Sequence, residues 1–309
     1  MGRKLALEEQ YELLCDREDM GENVSAADRI RGGYYRTKSV RSGDLLEVMA
    51  YPMPGMKAER SVRRMRPTSD AMKALNEKNA QRRMIRLVET NFGESDFYFT
   101  GTIEGNLPTV SEASALMKAF IRRWKRARVK MGLTSHKYIY VIEGHEEGDR
   151  KRRVHLHAIL EGGLDRREVK RLWDRGRSRC DELDKGGSGG LVPLARYLCK
   201  DPRGKRRWSE SKGLRQPKVT VAERKVSARA VGKLAGDVLG RAAALEKLYP
   251  DYRLVDCEVK SNPYVAGCFV YAVMRRGNDA DHGKRRPANR GGRAKVADRV
   301  GGTGNEEIS

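Results

Sequence analysis

"RVHLHAIL", residues 153–160, sets two histidines, His155 and His157, one residue apart inside a run of strand-forming apolar side chains. In a strand, residues i and i+2 point to the same side, so the two imidazoles stand together. Just upstream, "HKYIYVIE" (136–143) is a second strand-like segment, joined to the first through the charged, turn-prone "GHEEGDRKR". The two read as an antiparallel hairpin. Glu143 ends the first strand on the face shared with Ile139 and Val141, and a short connection sets its carboxylate close to His155. Two imidazoles and one carboxylate suit a divalent ion with open positions for water or a phosphate oxygen. His145 is a rival to Glu143 for the third place; Glu146 and Asp149, in the connection, are poorer donors.

Around this hairpin the chain alternates strand and helix signals. "DFYFTGTI" (96–103) is aromatic and β-branched, with Gly101 marking a bulge or a close approach of other atoms. "TVSE" (109–112) fits a capping box opening a helix with Ala113, Leu116, Met117, Phe120, Ile121 and Trp124 at helical spacing. Its basic far end, with Arg122, Arg123, Lys125 and Arg126, suits a solvated face or phosphate contact equally. Asp165 caps a shorter helix, and "KGGSGG" leads into "LVPLARYLCK" (191–200), where Tyr197 flanks an apolar stripe with Lys200 one turn on. A cation-dense loop follows, holding Arg206, Arg207 and Trp208, then one helix over 227–248 and two closing strands, "YRLVDCEV" and "GCFVYAVM". Earlier in the chain, "DLLEVMAYP" reads as a strand and residues 68–92 as a long basic helix. Residues 1–40 form an extension of unassigned role, 41–275 the main domain, and 276–309 a Gly/Arg-rich tail of disordered composition.

Composition sets the class of partner. The 309 residues carry a formal net charge of +22, far beyond what solubility requires, which points to a polyanion and most simply to nucleic acid. Five scattered cysteines without a CxxC pair argue for reduced thiols in a cytoplasmic setting and against a structural zinc module. The acidic turn after "MGRKLALEEQYELL" is unlike a signal peptide, and no apolar run approaches membrane-spanning length, so no membrane partner is expected.

Tyr197 and Lys200 gain meaning beside the histidine pair. A phenol is a weak nucleophile unless its anion or the charge on its target is stabilised, and a divalent ion with a neighbouring lysine can do that at a phosphodiester. At this point the sequence resembles a known family. "FYFTGTI", "VHLHAIL" and "RYLCK" occur in the order of the three motifs of HUH endonucleases. The likeness to rolling-circle replication initiators of bacterial plasmids, phages and integrated elements extends over about residues 40–275, through "GDLLEVMAY", "KYIYVIEG", "WSESKGLRQPK" and "SNPYVAGCFVYA".

The resemblance implies an α+β fold, with a central antiparallel sheet flanked by helices in a ferredoxin- or RRM-like palm. It implies His155 and His157 as ligands of Mg²⁺ or Mn²⁺, with Glu143 where relatives often carry an acidic residue, Tyr197 as nucleophile and Lys200 as its helper. The expected activity is nicking and strand transfer on single-stranded DNA at a replication origin through a 5′-phosphotyrosine. A host helicase and replication machinery are expected partners, since no GxxxxGK[ST] motif is present. Gly101 departs from the family's first motif, and Tyr197 has no second tyrosine one turn away. A relaxase or single-tyrosine transposase would share the chemistry. A non-catalytic nucleic-acid binder, stacking bases on Tyr98, Tyr138 and Tyr140, is the reading of a different class.

Overall fold

The computed structural model describes residues 5–15, 32–54, 69–104, 109–143, 154–185, 189–200, 207–262 and 265–277. The chain divides into a compact unit, Met1–Arg276, and a segment Gly277–Ser309 that, past its first residue, lies outside the described residues. The described helices are α1 (Leu7–Cys15), α2 (Ser69–Asn91), α3 (Val110–Lys130), α4 (Arg166–Arg171), α5 (Val192–Leu198), α6 (Ala228–Gly236) and α7 (Arg241–Leu248). The strands are β1 (Gly32–Ser42), β2 (Leu45–Pro54), β3 (Phe97–Thr102), β4 (Tyr138–Glu143), β5 (His155–Leu160), β6 (Ser178–Glu182), β7 (Ser209–Glu210), β8 (Lys218–Glu223), β9 (Tyr252–Asn262) and β10 (Val265–Arg276).

They form two antiparallel sheets flanked by helices, an α+β arrangement, where one central sheet was expected. The order is β8-β1-β2-β10-β9 in the first and β6-β3-β5-β4-β7 in the second. The second sheet holds the histidine hairpin at its centre. One of its faces packs Phe97, Phe99, Leu156, Ala158 and Leu160 against Met117, Phe120, Ile121 and Trp124 of α3. There Phe99 stacks on Phe120 with ring centroids 4.4 Å apart, and Trp173 meets both edge-on. The other face buries Ile139, Val141 and Ile159 under Met84, Ile85, Leu87 and Val88 of α2 and Ala195 and Leu198 of α5. Leu45 and Val273 of the first sheet join that same cluster, so α2 lies between the sheets and touches both.

Several local expectations hold. Thr109 caps α3 with the reciprocal Glu112 contact of a capping box, and Asp165 accepts the N–H groups of Arg167 and Glu168 at the start of α4. Gly101 makes no bulge: the β3–β5 ladder runs through it without a shift. Its role is close approach, since a Cβ there would stand 3.1 Å from the Trp173 ring.

Other expectations need correction. The boundary placed at residue 40 falls inside β1. That strand was hidden because it buries Thr37 and Ser39 on one face and Ser42 on the other, so no apolar alternation marks it. β8 was missed for the opposite reason: as an edge strand it leaves Val219 and Val221 exposed among polar neighbours. The single helix expected over 227–248 is two, parted where the Asp237 carboxylate accepts the Gly240 N–H at 2.8 Å. The basic stretch "MPGMKAERSVRRMRP" (53–67), which reads as an exposed connector, begins inside β2, and its residues 55–67 lie outside the described residues.

The α1 helix is fixed by charge as well as by Tyr11. Its buried Glu12 accepts two hydrogen bonds from Arg82 of α2, at 2.7 and 2.9 Å, and pairs with Lys78. Burial pushes the Glu12 pKa up, but Arg82 and Lys78 outweigh it and hold the group below its ordinary 4.5. A depressed carboxylate pKa contributes stability that is present above 4.5 and is lost as pH falls through the lower folded-state value. Glu12→Gln should therefore flatten the acid limb of the stability curve. It should also cost about 3–5 kcal/mol at neutral pH, by leaving Arg82 buried without its partner, as read by urea unfolding across the pH range.

Candidate active site

The period of two along each strand determines which side chains meet. Across the second sheet, Thr102, His155 and Glu143 stand in one row, and Thr100, His157 and Val141 in the next. Tyr98, Ile159 and Ile139 form the third, so all nine share the face that α2 and α5 cover. The rows grade from apolar under the helices to polar at the open end of the sheet.

His157 is 4% exposed and makes two contacts. Its Nδ1 lies 2.7 Å from the Tyr98 hydroxyl, and its Nε2 lies 2.9 Å from Glu143 Oε2. A carboxylate can only accept, so in the neutral imidazole Nε2–H donates to Glu143 and the Tyr98 O–H donates to Nδ1. Burial pushes the His157 pKa below its ordinary range, against the pull of Glu143 and with a push from His155. The ring is thus neutral at neutral pH, the state in which imidazole can ligate. Burial also drives the Tyr98 hydroxyl up to about 12, with the charges of Tyr197 and Glu143 adding to it, so it stays a proton donor.

Tyr197 arrives from α5. Its ring meets His157 edge-on with centroids 5.4 Å apart, and its hydroxyl donates to Glu143 Oε2 at 3.4 Å. The side chain is 47% exposed, so the hydroxyl is open to a large substrate. Burial of its inner part, followed by the Glu143 charge, raises the phenol pKa above its ordinary value. Ionising that phenol therefore needs positive charge nearby. Lys200 follows one turn on, its backbone N–H bonded to Tyr197 O at 3.0 Å and its side chain exposed.

The expected metal ligands are drawn together in part. The His155 and His157 rings lie 6.2 Å apart and nearly parallel, and Glu143, opposite His155 in the ladder, reaches diagonally to His157. Among the described residues no cluster of three His, Cys, Asp or Glu side chains is closed at ligating distances. The donor chemistry nevertheless fits a divalent ion. Two imidazoles and one carboxylate on one sheet face are the nitrogen and oxygen donors such an ion takes. Ligation through Nε2 requires the other tautomer, with Nδ1–H donating to the Tyr98 oxygen, which a hydroxyl can accept. His145, Glu146 and Asp149 lie outside the described residues.

The expected DNA contacts are scattered. Arg122, Arg123, Lys125 and Arg126 lie on α3, across the sheet from the histidines. Arg123 is engaged by Leu172 O and Asp174, and Lys125 lies over the Tyr138 ring. Trp208 packs on the histidine side, donating to Glu210 at 2.8 Å, and Arg207 beside it is exposed; Arg206 lies outside the described residues.

Two groups unmarked in the sequence hold the tyrosine helix. The buried Glu89 carboxylate on α2 accepts the N–H of Leu191, the residue capping α5, at 2.8 Å, and pairs with Arg275 of β10 at 2.7 Å. Arg275 in turn donates to Gly189 O at 2.9 Å. Glu89→Ala leaves Arg275 and the Leu191 N–H without their partner, at a cost of about 3–5 kcal/mol. Amide hydrogen exchange over residues 192–198 should rise well above the rise elsewhere, and a uniform increase over the whole chain would refute the local tether. Comparison with known proteins gives no matching family model, no similar curated protein and no similar solved structure.

Proposed function

We propose that this protein is a metal-dependent, single-tyrosine endonuclease and strand transferase acting on single-stranded DNA, of the kind that starts rolling-circle replication. The observation that carries the reading is the convergence of Tyr197, His157 and Glu143. One exposed phenol, one neutral imidazole and one carboxylate meet on a single sheet face.

In this reading the Tyr197 oxygen attacks a phosphodiester in line, and the bond from phosphorus to the 3′ oxygen breaks. A 5′-phosphotyrosine and a free 3′ hydroxyl result. The phenolic proton passes first to Glu143, already its hydrogen-bond acceptor, and is then available to the departing 3′ oxygen. A divalent ion bound by His155, His157 and Glu143 would supply charge neutralisation at the phosphate. His157 is held in position from behind by Tyr98, and Lys200 adds positive charge one turn from the nucleophile. Because the phosphodiester energy is kept in the new bond, the same groups can run the step backwards and rejoin ends. Origin DNA, a host helicase and the replication machinery are the partners this reading requires. A cytoplasmic setting goes with them; no described helix is long and apolar enough to cross a membrane.

Incubation with a single-stranded oligonucleotide from the surrounding locus and Mn²⁺ should give a covalent protein–DNA adduct that Tyr197→Phe abolishes. Cleavage that persists in Tyr197→Phe would remove the nucleophile. A second measurement addresses the metal. His155→Ala combined with His157→Ala should stop Mn²⁺-dependent cutting while salt-sensitive DNA binding persists, because lysine and arginine contacts to phosphate supply most of that affinity. Retained cutting in the double variant would remove the metal role of the pair.

A further inference from the structure

The strand next to β3 carries a feature absent from the sites above. β6 is the open edge of the second sheet, and its register continues the histidine rows outward. Arg179 stands opposite Thr100, which stands opposite His157. Beyond the end of β6, the Arg177 carbonyl accepts the Thr102 N–H at 2.9 Å, which sets Arg177 in the row of Thr102, His155 and Glu143. Two arginines thus face the same way as the two histidines, with a threonine between each pair. At about 4.8 Å per strand, each lies about 10 Å from its histidine along the backbone.

We propose that Arg177 and Arg179 form a phosphate-backbone subsite, holding the DNA strand beside the phosphate that Tyr197 attacks. The inference rests on the nuclease reading for its substrate, but its geometry is independent of it. Along the strand the two residues repeat at about 6.7 Å, the order of one nucleotide of extended single strand. The intervening Ser178 turns to the opposite face, where its hydroxyl reaches Lys170 O of α4. Gly176 lets the chain hug β3, since a Cβ there would stand 2.5 Å from Thr102 O.

Both arginines are exposed, with the Arg179 side chain 80% so. Arg179 is paired with Asp181 two residues along the strand, an exposed ion pair of little net strength that a phosphate can replace. Arg175 does not belong to the row, because Asp174 engages it together with Arg123 on the α3 side. Among the described residues at the opposite edge, Glu210 of β7 takes both Arg83 and the Trp208 indole.

Binding of an oligothymidylate, measured across a salt series, tests this without any need for cutting. Each phosphate contact on a single strand contributes about 0.7 to the slope of log affinity against log salt, so Arg177→Gln with Arg179→Gln should reduce the slope by about 1.4. Arg177→Lys with Arg179→Lys should restore it, which separates charge from folding. Removing two exposed cations from α6, by Arg229→Gln with Lys233→Gln, should leave the slope near that of the parent. An unchanged slope in the first variant, or an equal fall in the α6 variant, would overturn the subsite. A parent protein that binds with the full slope yet forms no tyrosine adduct would overturn the nuclease reading and leave the arginine row standing.

Discussion

The Glu89 carboxylate is the contact on which the geometry of the site depends. It is buried on α2, between the two sheets, and it bonds the start of α5 and the guanidinium of Arg275 together. α5 has only seven residues and no side-chain cap of its own, so it cannot be a stable helix by itself. Its apolar side, Ala195 and Leu198, sets its depth against the sheet, but apolar contact is non-directional. A charge-assisted hydrogen bond to the first N–H is directional, and it determines how far along the sheet Tyr197 sits. The first sheet, through Arg275, therefore bears on a site built from the second sheet and α5.

The two faces of the second sheet divide the work. Toward α3 the strands present Phe99, Leu156 and Ala158, a dry layer that makes the register costly to shift, because a slip by one residue would turn that whole set outward. Register locked on one face is what makes the other face usable. There Thr100, Thr102, His155, His157 and Glu143 hold fixed mutual positions without bonding to one another along every row. Precision on the polar face is inherited from packing on the apolar one.

Legibility in the sequence followed the range of the interaction. The histidine pair and Glu143 were readable because a hairpin is local: alternation within each strand and a short connection already imply a shared face. The α3 cap and the α4 cap were readable for the same reason, as side chains bonding their own backbone within a turn. Tyr98 was visible only as a strand aromatic on which a base could stack. Its bond to His157 depends on β3 lying beside β5, a pairing 59 residues apart in sequence that no local pattern encodes. Glu89 and Arg275, 186 residues apart, lie further still beyond reach, as does the pairing that turns "RGRSR" from one more basic run into an edge of the site. β1 escaped because buried Thr37, Ser39 and Ser42 mimic the composition of a loop.

The two histidines that look equivalent in sequence are unequal in the fold. His157 is almost sealed, with one ring nitrogen turned to Tyr98 and the other to Glu143, so its ring has no freedom to rotate without breaking a contact. His155, one residue pair nearer the open end, is only half-buried. Stiffness at His157 and exposure at His155 suit a site in which the inner imidazole sets orientation and the outer one meets what enters. Glu143 belongs to both, since it stands opposite His155 in the ladder while bonding His157 and receiving the Tyr197 hydroxyl. In the proposed reaction an ion on Nε2 takes the place of that nitrogen's proton, so the His157–Glu143 hydrogen bond is the one given up, and the Tyr197 hydroxyl keeps the acceptor to which it passes its proton.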